Sequence, residues 1–434
     1  MKSMIYLLIP VLFAGCVFSK EDNPNYKPDA SDTDAAADTD TDTDTDTDTD
    51  TDADTDTDID ADADADADAS GDADSDVDAD ADSDHCARGG TCSDSVDCTD
   101  DLCRPDAGAA DENGCIFVPV DDDCDDFYVC DTLLGCVRDY VYVDCDLTDG
   151  GTGTQLDPYM KLQQAIDTLG PDNRRSIMLL DSDCDESVYM EGEKVRIEGE
   201  SKDARIVSGT TDGRIAVDAG VLELSRVTIF NSDNDSLRCY NSAECTVLDS
   251  LINLGLGIGI VVDSSTAYIR RTQVSNKNAG GISLVSSTYE VENCIINNNG
   301  TSGGSGSDLG GVLIQSPQNN SYFRFNTIVY NMSHSDYAGG VHCVSNNIHI
   351  ENLILWGQLT DDYSGNCTLD SYSISEDDAD DDPDLDGDFH LQASSTSAID
   401  KGNNDGGPAD DFDGETRPYP AGGNVDIGAD EYHP

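Results

Sequence analysis

The chain has 434 residues and a formal net charge of -69, with 91 Asp and Glu against 22 Lys and Arg. Such acidity excludes nucleic-acid binding as a primary role, because phosphate affinity needs a basic surface. The 16 cysteines fall outside metal-binding spacings and point to an oxidising compartment rather than the cytosol. The charge has two sources. Residues 29–84 hold 26 of the acids and no base, while residues 85–434 still carry 63 acids against 19 bases.

Residues 1–15 read as a signal peptide: Lys2, then an apolar run from Met4 to Phe13, then Ala14-Gly15. About ten apolar residues are too few to span a bilayer but suit a signal-peptide core. Small residues directly before Cys16 resemble the bacterial lipobox, although Phe13 stands where Leu is commoner. The resemblance implies acylation of Cys16 and a membrane partner reached through its acyl chains. Val17, rather than Asp, follows the Cys, which by resemblance to known sorting favours the outer membrane.

Residues 16–84 are read as a disordered Thr/Ala-Asp stalk. A strand with Asp along one whole face would repel itself and bury nothing. Self-repulsion instead extends the coil, to a contour of at most ~190 Å. Residues 85–138 form a short disulfide-rich segment with eight cysteines: Cys86, Cys92, Cys98, Cys103, Cys115, Cys124, Cys130 and Cys136. Its apolar content is too low for a self-sufficient core, so cross-links must hold it. The spacing alone fixes no connectivity.

From residue 139 to 375 the chain repeats. Coils start at Arg214, Ser236, Gly259, Gly281, Gly311 and Gly340, and each reads as three short alternating strands. In one coil these are Ile260-x-Val262, Ala267-x-Ile269 and Thr272-x-Val274. Such triplets need an interior shared by stacked coils, as in a parallel β-solenoid. One column at the second bend reads Arg226, Asp249, Arg271, Asn293, Asn326, Asn352. Asn293, Asn326 and Asn352 form an expected Asn ladder, since Asn tolerates left-handed geometry and its amides bond along the stack.

With these motifs the chain resembles the right-handed parallel β-helix of pectate-lyase-like proteins. Leu162-Gln163-Gln164-Ala165-Ile166 then looks like a short N-terminal capping helix covering the lower end. The fold class expected is therefore all-β: a right-handed parallel β-helix with that cap, preceded by the stalk and the disulfide segment. The resemblance implies that enzymes of this fold carry carboxylates, Ca²⁺ or Arg on the outward face of the first sheet. Here that column reads Ala216, Arg238, Val261, Ser283, Leu313, His342, with no carboxylate, and no residue is assigned to catalysis. Asp218 and Asp263 lie two coils apart with Tyr240 between them.

Two longer insertions, near 301–310 and 333–339, fall between third and first strands, the rim of the ligand groove by resemblance. Arg238, Tyr240, Asp263, His334, Tyr337 and His342 are the candidate binding-rim residues, for a polysaccharide or a surface protein. A column on the third sheet (Thr228, Leu251, Gln273, Ile295, Ile328, Ile354) is unusually aliphatic for an outward line, and the C-terminal segment is expected to lie over it.

Residues 376–434 form an acidic capping tail. Asp411-Phe412-Asp413-Gly414, Arg417-Pro418 and Val425-Asp426-Ile427-Gly428-Ala429 resemble the end of surface-anchored bacterial β-helix proteins of the choice-of-anchor type. Asp382, Asp384, Asp386 and Asp388 are a candidate Ca²⁺ site; no Glu stands at position twelve, Ala393, so an EF-hand is excluded. The other reading is a charged cap with Arg417 paired to one of these acids. Among later cysteines, Cys145 with Cys184, Cys239 with Cys245 and Cys343 with Cys367 lie within disulfide reach, leaving Cys294 as a free thiol. The expected function is a lipid-anchored envelope protein displaying a β-helix for glycan or protein binding or for structural display, with no required cofactor beyond the candidate Ca²⁺. The alternative is a surface polysaccharide lyase or glycoside hydrolase acting on acidic polysaccharide.

Overall fold

The computed structural model describes residues 91–170, 175–209, 212–301, 309–333, 337–378 and 381–434. The leader, Cys16, the stalk, Cys86 and His334 lie outside the described residues. The repeat folds as an all-β parallel solenoid of three sheets, which among the described residues have eight, eight and nine strands. One coil runs through strands Ile258–Asp263, Thr266–Arg270 and Gln273–Ser275, on the first, second and third sheets. Its partner above runs through Gly280–Val285, Thr288–Glu292 and Ile295–Asn297, in parallel register.

Inward residues stack in unbroken files, such as Leu237, Ile260, Ile282, Val312 and Val341, all nearly inaccessible to water. Burying each such side chain contributes roughly 1.5–3 kcal/mol. One coil alone has nothing to bury it against, so the stack is the folding unit. Left-handed backbone recurs at the bends. At the second bend Arg226, Asp249, Arg271, Asn293, Phe325 and Asn352 have φ between 47 and 54°.

That column corrects the expected ladder by one residue. Phe325, not Asn326, takes the fifth bend position. Asn326 points inward, where its Oδ1 accepts the Cys294 N–H at 2.9 Å and its Nδ2 donates to Val291 O at 2.9 Å. The shift also turns Ile328 into the core and places Thr327 on the outward third-sheet line. A second interior ladder, which sequence reasoning missed, runs through Asn299, Asn331 and Gln358. The side chain of each satisfies a backbone N–H one coil below.

Helix α1 (Leu162–Leu169) buries Leu162, Ala165 and Ile166 against the lowest coil. Glu186, distant in sequence, accepts the N–H groups of Leu162 and Gln163 at 2.6 and 3.2 Å, so a carboxylate satisfies the helix N-terminus. Ahead of the solenoid lie two antiparallel hairpins, Thr99–Cys103 with Cys115–Pro119 and Val129–Asp131 with Gly135–Val137. Cys92–Cys115, Cys98–Cys130 and Cys124–Cys136 cross-link them, and Cys103 is also disulfide-bonded. In the solenoid the pairs are Cys145–Cys184, Cys239–Cys245 and Cys343–Cys367, with Cys294 free and buried, as the spacing suggested.

The tail lies over the upper part of the third sheet. Leu391, Ala398 and Ile427 pack on Val329, Ile354 and Ile374. The Ala429 N–H donates to Thr327 Oγ1 at 3.0 Å, and Gly428 N–H to Asn352 O at 3.0 Å. Arg417 pairs with Glu431 at 3.1 Å, both side chains inaccessible, rather than with any acid from 382 to 388. Its guanidinium lies 5.0 Å from the Phe325 ring, which explains the ring's place at the bend.

Candidate functional site

The outward face of the first sheet is left open by the tail. Its first column reads Tyr189, Ala216, Arg238, Val261, Ser283, Leu313, His342, Ser364, in the register expected from Ala216 to His342. A second column beside it reads Glu191, Asp218, Tyr240, Asp263, Val285, Gln315. Polar and aromatic side chains gather at two ends of this face, separated by Val261, Ser283 and Leu313.

At the lower end the Arg238 guanidinium stands 5.4 Å from the centre of the Tyr240 ring and 3.9 Å from Asp235. The Tyr189 hydroxyl donates to Asp218 Oδ2 at 3.4 Å, and Asn241 Nδ2 donates to Asp218 Oδ1 at 2.9 Å. Hydrogen bonding with Tyr240, then partial desolvation and the nearby Asp218 and Glu191 charges, push the Tyr189 phenol up to about 12. Tyr189 is 47% exposed, so its ring offers an open platform. Asp263 accepts the Ser264 hydroxyl at 3.0 Å. Asp218 and Asp263 are two rungs apart, about 10 Å at strand spacing. That lies just outside the roughly 6.5–9.5 Å that an inverting glycosidase needs, and far outside the retaining separation of about 5–5.5 Å.

At the upper end, four rungs and about 19 Å from Arg238, His342 Nδ1 lies 2.7 Å from Ser364 Oγ. The Ala338 N–H donates to the same Oγ at 3.0 Å. Tyr337 meets the imidazole edge-on, with ring centres 4.4 Å apart. Burial lowers the His342 pKa and favours neutral imidazole. Gly365, at φ +76°, follows Ser364; a Cβ there would lie 2.1 Å from Cys343 O and 3.3 Å from His342 Cε1. The space beside the imidazole is therefore kept clear. Behind this group Asp362 is buried, and desolvation together with Asp377 raises it to about 7.

The structure thus brings Arg238, Tyr240 and Asp263 together, and Tyr337 with His342, but not all five into one cluster. Sequence reasoning missed Tyr189 and Ser364. Tyr189 precedes Arg214, where the regular repeat begins. Ser364 stands 22 residues after His342, one repeat length, but the coil between has no first bend: Val341–Ile350 runs on as one strand. Also missed was Lys277, fully buried, whose Nζ donates to Ser236 Oγ at 2.9 Å and Leu254 O at 2.7 Å. It occupies space left by Gly255, and desolvation lowers it to about 8.

The candidate Ca²⁺ run does not assemble. No three of Asp382, Asp384, Asp386 and Asp388 bring oxygens within 4.8 Å of one another. Asp382 and Asp386 turn back instead to accept the N–H groups of Asp384, Asp388 and His390. Elsewhere in the tail, His390 with Asp413 and Asp430, and His433 with Asp411 and Glu415, present mixed donor sets of that size. Among the described residues no helix is long and apolar enough to cross a membrane.

The fold and this face define a parallel β-solenoid with an open, polar and aromatic first-sheet surface. No family model matches the chain, and no curated protein matches it in sequence. Among solved structures, the crystal structure of pectate lyase Pel9A is similar, with TM-score 0.40 and 13% identity over 68% of this chain and 97% of that one. The likeness concerns fold alone.

Proposed function

We propose that this chain is a cell-envelope lipoprotein, acylated at Cys16 and sorted to the outer membrane. Its Asp-rich stalk holds the solenoid away from the bilayer, and the first-sheet face binds a glycan. The observation that carries the binding reading is the lower cluster. Tyr189 and Tyr240 supply aromatic surface, while Arg238, Asp218 and Asn241 supply fixed hydrogen-bonding groups on adjacent rungs of a rigid sheet. Sugar rings present apolar faces and hydroxyl edges, which suit this mixture. Asp218, Asp263 and Glu191 around the patch, together with the net charge of -69, favour a neutral glycan over a polyanion. Polysaccharide cleavage is the weaker reading: Asp218 and Asp263 stand too far apart for either glycosidase geometry, and Asp218, one rung from Glu191, is engaged by the Tyr189 hydroxyl and the Asn241 amide.

A glycan array probed with the purified chain tests the proposal. Binding to neutral oligosaccharides, reduced at least tenfold by Tyr240→Ala, is expected. Binding that ignores Tyr240→Ala and Arg238→Ala alike would place any ligand elsewhere.

A further inference from the structure

We propose that Ser364 and His342 form a nucleophile–base pair that hydrolyses small acyl esters at the upper end of the first-sheet face. The two residues come from adjacent strands, Val341–Ile350 and Tyr363–Leu369, and are direct register partners on the outward side. Oγ and Nδ1 stand 2.7 Å apart, within the hydrogen-bond reach that a serine and its base require. The Ala338 N–H donates to Oγ, and in the Nε2–H tautomer of His342 the hydroxyl donates its proton to Nδ1. Burial keeps the imidazole in its neutral, proton-accepting form. Tyr337 fixes the ring from one edge. Leu313, the register partner below His342, gives the neighbouring rung an apolar surface. Gly365 keeps the approach free of a side chain. These limits suit a short acyl group, such as an acetyl ester on a sugar hydroxyl. The sugar as carrier rests on the glycan-binding reading above; the nucleophile–base pair does not.

The reaction runs in two halves. Oγ bonds to the acyl carbon as its proton passes to Nδ1. The ester C–O bond then breaks, and the imidazolium returns that proton to the departing sugar oxygen, leaving an acyl-serine. In the second half Nδ1 takes a proton from water while the water oxygen bonds to the acyl carbon. Oγ departs, recovers the proton, and a carboxylic acid is released. No redox partner is needed.

The test treats the full chain with a fluorophosphonate probe, maps the adduct by peptide mass spectrometry, and follows p-nitrophenyl acetate hydrolysis. The adduct is expected on Ser364. Ser364→Ala should return hydrolysis to the buffer rate, and His342→Gln should slow labelling at least 100-fold, the lower end of the ~10²–10⁴ contribution of a general base. Circular dichroism and an intact Cys343–Cys367 disulfide confirm folding of both variants. A wild-type chain that acquires no adduct on Ser364 at saturating probe overturns the proposal. So does labelling at Ser364 that His342→Gln leaves unchanged. A negative glycan array with labelling intact would remove the sugar carrier but not the esterase.

Discussion

Replacing Arg417 by Met tests how the tail is held on the third sheet. The guanidinium and the Glu431 carboxylate are both fully buried and 3.1 Å apart. Arg417 also donates to Gly428 O at 3.1 Å, Asp430 O at 2.7 Å and Asn293 Oδ1 at 3.1 Å, so it links two tail segments to the solenoid bend. Breaking a buried pair from one side costs about 3–5 kcal/mol, because the remaining charge has no counterion. Glu431 keeps two backbone donors, Tyr419 N–H at 2.7 Å and Asp426 N–H at 2.9 Å. The expected loss therefore sits near the lower bound, about 3 kcal/mol, or a little over a hundredfold in the opening equilibrium. Because the tail packs on the sheet without joining it, the loss should appear as local opening. Hydrogen exchange at the Gly428 and Ala429 amides, bonded to Asn352 O and Thr327 Oγ1, should accelerate by that factor, while amides of the core strand Ile258–Asp263 should not change. Acceleration below fivefold, or a uniform increase over the whole solenoid, would refute the reasoning.

Two further outcomes follow from buried polar groups. Desolvation raises Asp430 to about 7 and Asp426 to about 6 in the folded tail, against about 3.9 for an unfolded aspartate. Between those limits the folded state binds more protons, so stability falls as pH rises from about 4 to about 7. Limited proteolysis of residues 385–434 should accordingly be slower at pH 5.5 than at pH 8; the opposite order would count against it. Asn326→Ala leaves the Cys294 N–H without its partner inside the core and removes the side-chain donor to the Val291 carbonyl. At about 1–3 kcal/mol for an orphaned group, denaturant unfolding should show a loss of roughly 1–3 kcal/mol, and no measurable loss would contradict the inward placement.

The solenoid was legible because its cause is periodic. A coil that must share its interior writes the same alternating triplet into every turn, and the first-sheet column from Ala216 to His342 can be read from that pattern alone. Reading failed where the deciding contact is distant. Phe325-Asn326 and Glu351-Asn352 look like equivalent bends, but Arg417 and Gly407 from the tail lie against the Phe325 ring and turn Asn326 inward. The Ser364 partnership was hidden for a different reason, since the bend that marks each coil is missing from Val341–Ile350. The Asp382–Asp388 run has metal-loop spacing, yet Asx turns at Asp382 and Asp386 point one oxygen of each back at the local backbone, and no three of the four carboxylates converge. Spacing along the chain does not set side-chain direction.

The claim that the first-sheet face is the binding surface is tested most directly by hydrogen exchange with and without a saturating oligosaccharide chosen from the array. Slowed exchange in Leu237–Tyr240 and Ile258–Asp263, with residues 381–434 unchanged, is the result the account predicts. Protection confined to the tail or to the second sheet would contradict it.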